Sequence, residues 1–114
     1  MLNKLKYLLR KKIARSMEKN DIDMEELKRM VEKDAILLDV RSPQEYKEGH
    51  LEGSYLIPEY ELKAKAQEIL FDKERPIVVY CSSGNRSKKA QKLLEKMGYK
   101  NVYNLYGGLE EIEK

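Results

Sequence analysis

The 114-residue chain contains one cysteine, one histidine and no tryptophan. A lone cysteine excludes an internal disulfide framework, and one Cys with one His is no ligand set for a zinc ion. Long hydrophobic runs are missing too: nothing approaches the roughly 18–20 apolar residues of a membrane span. The opening stretch, MLNKLKYLLRKKIARSMEKN, lacks the continuous apolar core and small-residue cleavage site of a secretory signal. With only three prolines and six glycines, the chain also has no low-complexity segment or long linker, and no internal repeat. These absences point to one reduced, cytoplasmic domain with a single core.

A broad basic surface is likewise absent, although the net charge is +3. Residues 1–20 carry seven Lys or Arg against one acid, whereas the remaining 94 residues carry 16 basic and 19 acidic side chains. A mildly acidic domain therefore bears a basic extension, and nucleic acid is not an expected partner. Within residues 1–20, Leu2, Leu5, Leu8, Leu9, Ile13 and Met17 recur at helical steps between the cations. An amphipathic helix packed on the domain is favoured there over one that touches a membrane surface or a partner.

What is present is an alternation of helix and strand patterns over residues 21–114. Asp23 followed by Glu26 forms a capping box, with Ile22 and Leu27 at the positions of a hydrophobic staple, so a helix is predicted over residues 24–33. AILLDV (35–40) and PIVVY (76–80) are apolar runs of strand length, read as buried strands. Between them lie a second capping box (Ser42, Pro43, Glu45), a short strand over 54–58, and a helix with Leu62, Ala66, Ile69 and Leu70 on one side. A helix over 86–97, a last strand NVYNL and a short helix after two glycines complete the chain. This is the pattern of an α/β domain with a mostly parallel sheet. The tyrosines at 46, 55, 80, 99, 103 and 106 are expected in the core or on its rim.

The one cysteine, Cys81, stands in VVYCSSGNRSKKAQ, where a buried strand ends and a helix begins. Ligands on parallel sheets bind at such strand ends. Thiolate is the reactive form of cysteine, and a helix N-terminus with a neighbouring Arg is the setting that favours it. Ser82, Ser83, Gly84 and Asn85 suit a tight turn whose N–H groups point inward as an anion nest. Arg86 opens the helix and offers a fixed charge, Ser87 a hydroxyl, and Lys88 and Lys89 a positive field. The alternative is a small buried, inert cysteine. Strand, polar turn, Arg and helix agree on a nucleophile cradle.

The spacing from Cys81 to Arg86 is C-x4-R, one residue shorter than the C-x5-R loop of protein tyrosine phosphatases. The loop CSSGNRS, the upstream LLDVRSPQEYKEGHLEGSYLIP and the closing GYKNVYNLYGGLEEI resemble, in that order, the motifs of the rhodanese family of sulfurtransferases. The resemblance spans residues 22–112. It implies an α/β rhodanese-like fold, a mostly parallel central sheet of about five strands flanked by helices on both faces. It also implies that Cys81 accepts sulfur from a small anionic donor such as thiosulfate, or from a protein persulfide. A thiol or cyanide would then take the sulfur, with no metal or organic cofactor required. Residues 82–87 would supply the N–H groups that stabilise the carried sulfur. Asp39, Arg41 and Glu45 fall in the upstream motif and are expected to brace the loop rather than react. His50 is expected as a hydrogen-bonded turn residue rather than a general base. Family members often carry a tryptophan after the closing glycines, and here Leu109 or Ile112 is expected to fill that space. A single cysteine leaves no resolving partner for an intramolecular disulfide. A non-catalytic or sulfur-delivery module docked through residues 1–20 and, less favoured, a phosphatase on the same fold are the competing readings.

Overall fold

The computed structural model describes residues 17–113. Strands β1 (Asp21–Ile22), β2 (Ile36–Asp39), β3 (Tyr55–Leu56), β4 (Ile77–Tyr80) and β5 (Val102–Leu105) form one sheet in the order β1-β5-β4-β2-β3, with every neighbouring pair parallel. The helices are α1 (Met24–Glu32), α2 (Pro43–Glu48), α3 (Leu62–Ile69), α4 (Asn85–Lys96) and α5 (Gly108–Glu113), with a 3-10 turn at Glu59–Glu61 leading into α3.

The two wholly buried strands, β2 and β4, lie next to each other inside the sheet, where both faces of a parallel sheet are covered. Side chains alternate along them. Ile36, Leu38, Ile77 and Val79 pack with Leu62, Ala66, Ala90 and Leu94, so α3 and α4 cover one face. Leu37, Val78 and Tyr80 pack with Leu27, Met30 and Leu109, so α1 and α5 cover the other. The α/β architecture with helices on both faces is thus as the sequence implied. The ends of β2 and β4 lie side by side in register, Asp39 beside Tyr80, which brings Arg41 and Cys81 to the same edge.

Local sequence sets the element ends. The Asp23 carboxylate accepts from the Glu26 N–H at 2.9 Å and caps α1. Ser42 and Glu45 form the reciprocal capping box of α2, with Pro43 in its first turn.

The structure departs from expectation at Ile69 and Tyr55, and one short strand carries no sequence signal. The basic helix over residues 1–20 falls mostly outside the described residues, and at its end Lys19 and Asn20 form a turn, Asn20 at φ +67°. Asp21 and Ile22 form an edge strand on β5, a pairing too short to leave a pattern of its own. Ile69 is exposed because α3 ends there, and Leu70 takes the buried position after leaving helical dihedrals. Tyr55 is exposed rather than on the core rim. Among the described residues no helix is long and apolar enough to cross a membrane.

Candidate active site

Cys81 follows β4 directly, and the turn 82–84 carries the chain into α4. Gly84 caps that helix at φ +97°, a conformation that costs a side-chain-bearing residue about 1–2 kcal/mol. This turn folds back on the cysteine. The Cys81 Sγ accepts from the Gly84 N–H at 3.1 Å and from the Ser87 N–H at 3.3 Å. Its S–H donates to Ser87 Oγ at 3.3 Å, and the Ser87 hydroxyl donates in turn to the Gly84 carbonyl at 3.2 Å. Two N–H donors on one sulfur are an arrangement matched to negative charge there. Among the described residues, the N–H groups of Ser82, Ser83 and Arg86 have no acceptor in the protein. The Asn85 N–H reaches only Ser83 Oγ, at 3.5 Å.

Glu45 ties the turn to α2. Arg86 grips both of its carboxylate oxygens, at 2.7 and 2.8 Å, and the Ser82 hydroxyl donates to the same carboxylate at 2.9 Å. The Arg86 hydrogen bonds hold the Glu45 carboxyl far below the usual carboxylate range, and Glu45 in turn raises Arg86 further above its already high value. The charge expected on Arg86 is therefore neutralised inside the fold. Lys88 is also engaged, donating to Asp21 Oδ1 at 2.7 Å with Glu18 at 3.4 Å, so it braces α4 against the sheet edge rather than serving the turn.

Asp39 and Arg41 form a separate buried pair. Arg41 donates through Nε and Nη2 to the Asp39 carboxylate at 2.8–3.1 Å, and through Nη2 to the Gly49 carbonyl at 2.6 Å. The guanidinium lies 5.8 Å from the Tyr80 ring centre. Tyr80 precedes Cys81 and is itself locked: its hydroxyl donates to Ser54 Oγ and accepts from the Leu51 N–H. Burial pushes that phenol up to about 12. Arg41 and Glu45 do not pair with each other: Arg41 pairs with Asp39, two residues before it, and Glu45 with Arg86 across the site.

The second wall comes from α5. Its Leu109 N–H donates to the Cys81 carbonyl at 3.0 Å and its Glu110 N–H to the Ser82 carbonyl at 2.9 Å. Gly108 permits this approach, because a Cβ there would stand 2.5 Å from both carbonyl oxygens. Leu109 packs against the inner cluster, whereas Ile112 is exposed.

The sequence places Cys81 correctly at a strand end but does not reveal its burial. No part of Cys81 reaches solvent, and the side chain joins the core on the α3–α4 face. Beside it opens a cleft of about 580 Å³, lined by Ser82 and by residues of α2, the following turn and α5. His50 stands on that rim, stacked on Tyr46 at 3.6 Å with its Nδ1–H donating to the Tyr46 carbonyl at 2.7 Å. Ser83 and Asn85 are exposed at the tip of the turn. Among the described residues no three His, Cys, Asp or Glu side chains stand close enough to hold a metal ion.

Comparison with known proteins matches residues 23–114 to the family described as Rhodanese-like domain. Thiosulfate sulfurtransferase PspE of Escherichia coli is 39% identical over 75 residues, covering 66% of this chain and 71% of that protein. The putative sulfur carrier protein YrkF of Bacillus subtilis is 34% identical over 113 residues, which cover 94% of this chain and three-fifths (60%) of the relative. Among solved structures, the human single-domain sulfurtransferase TSTD1 superposes with a TM-score of 0.72 at 28% identity, covering 85% of this chain and 98% of that one.

Proposed function

The chain belongs to the rhodanese-like domain family, and we propose that it is a single-domain sulfurtransferase in which Cys81 carries sulfane sulfur as a persulfide. The observation that supports this most is the pair of N–H donors, from Gly84 and Ser87, aimed at the Cys81 sulfur. In the first step the Cys81 thiolate attacks the outer sulfur of the donor. A new S–S bond forms as the old one breaks, and the electron pair leaves with sulfite (from thiosulfate) or with a thiolate (from a persulfide). The terminal sulfur then carries the negative charge, toward which the N–H groups of Ser82, Ser83 and Arg86 are available. In the second step a thiolate or cyanide attacks that outer sulfur and restores the Cys81 thiolate. At rest the thiol donates a hydrogen bond to Ser87 Oγ; once its proton has left to solvent, the Ser87 hydroxyl turns to donate to the thiolate. No external oxidant or reductant is consumed.

Because Cys81 is covered, the residues packed around it have to move for a donor to reach the sulfur. That burial favours a second reading: a sulfur carrier that is loaded and unloaded only within a partner complex. Steady-state release of thiocyanate from thiosulfate and cyanide separates the two. Turnover that is lost in Cys81→Ser supports the free enzyme. Single loading from a protein persulfide, without turnover on small substrates, supports the carrier. Hydrolysis of an aryl phosphate in place of both would return the assignment to a phosphatase.

A further inference from the structure

The cleft beside the turn combines an unusual charge with a size that the small donor does not need. Its lining holds two carboxylates, Glu48 and Glu110, that have no ion-pair partner among the described residues. Glu48 accepts only from the neutral Gln44 amide. The cations nearby are already engaged: Arg41 faces Asp39, Arg86 faces Glu45, and no lysine lines the space. Leu51, Leu109 and Ile112 add apolar surface to the same lining. A volume of about 580 Å³ suits several side chains, far more than a five-atom anion.

We infer that the sulfur partner docking here is a protein cysteine flanked by Lys or Arg, and that the thiosulfate dianion is a poor match for this mouth. A basic side chain lays its methylene stem along Leu51, Leu109 and Ile112 and sets its charge against Glu48 or Glu110. This places the partner's sulfur beside Ser82 and the turn that follows Cys81. A small dianion meets two like charges on the same approach, with no unpaired cation among the described residues that line it. The inference rests on Cys81 being the sulfur-carrying residue.

The test uses the full chain, loaded with sulfur from inorganic polysulfide. The loaded protein is mixed with three synthetic pentapeptides in which cysteine is flanked by Lys, by Ser or by Glu. Transfer is read as the rate of appearance of the peptide persulfide by mass spectrometry. At low ionic strength the Lys-flanked peptide is expected to react about tenfold or more faster than the Glu-flanked one, with Ser between, because complementary rim charges act on encounter. Salt narrows the gap as screening shortens the interaction range. Glu48→Gln with Glu110→Gln, both exposed and outside the sulfur's hydrogen bonds, should narrow the gap several-fold at low salt, down to the difference that the flanking charges make to each peptide's own thiolate fraction. Equal rates in the unaltered chain, or a gap untouched by the double substitution, would overturn the inference while leaving Cys81 as carrier. Failure of Cys81 to load at all would remove the underlying reading and the inference with it.

Discussion

Glu45 and Arg86, 41 residues apart, meet in a two-pronged ion pair at 2.7 and 2.8 Å, and the same carboxylate caps α2 and receives the Ser82 hydroxyl. One side chain thus links a helix start, the reactive turn and the cation nearest the cysteine. Glu45→Gln loosens that link and frees the Arg86 charge. Reaction with thiosulfate is expected to rise a few-fold, and stability to fall by about 1 kcal/mol or less, since both side chains are about a third exposed. A thiosulfate rate that falls instead would show that Arg86 needs its partner to position the turn.

The same pair sets an acid dependence. The Glu45 carboxyl is held well below its ordinary 4.5 by the Arg86 hydrogen bonds. A carboxyl depressed in the folded state stabilises fully above its unfolded value, and that contribution is lost as pH falls below it. Melting temperatures of the unaltered chain and Glu45→Gln should therefore differ most at and above about pH 5, and converge as pH falls toward 3. A constant difference over that range would contradict the pairing.

Asp39 is wholly buried against Arg41. Asp39→Ala leaves the guanidinium with one carbonyl partner in the interior and should cost about 3–5 kcal/mol by denaturant titration. Replacing both residues together, Asp39→Leu with Arg41→Met, should recover a large part of that loss. If the single and double substitutions cost the same, the pair contributes as packing and not as charge.

Gly108 touches the carbonyls of Cys81 and Ser82. In Gly108→Ala the new methyl displaces the turn, and Cys81 reactivity should fall by roughly a hundredfold. The fold should lose about 1–2 kcal/mol, the cost of a side chain at its φ of +63°. Amide chemical shifts of residues 81–87 report the displacement. Unchanged shifts with unchanged reactivity would show that the contact is incidental.

The alternation of helix and strand was legible because each element carries a local signal. The Asp23 cap, whose expected reciprocal half is missing because Glu26 bonds Arg29 instead, the Ser42 capping box, the apolar runs of β2 and β4 and the polar turn after Cys81 all act within a few residues of chain. What escaped was non-local. The Asp21–Ile22 strand exists only through its pairing with Asn104 and Leu105. Capping-box spacing identifies Glu45 as a cap, but nothing in the local pattern announces Arg86 as its partner. The burial of Cys81 depends on α3 and α4 packing over the end of β4, and the contact of α5 with the Cys81 and Ser82 carbonyls follows a turn that Gly107 and Gly108 signal without its destination. The cleft with Glu48 and Glu110 is likewise assembled from α2 and α5, which are distant in sequence.

The central claim is that Cys81 takes up sulfane sulfur, and intact mass after incubation with polysulfide, thiosulfate or a protein persulfide tests it most directly. The account predicts a gain of one sulfur atom on the unaltered chain, reversed by a thiol, and no gain on Cys81→Ser. An unaltered chain that gains no sulfur from any of these donors, or a Cys81→Ser chain that gains it equally, would contradict the account.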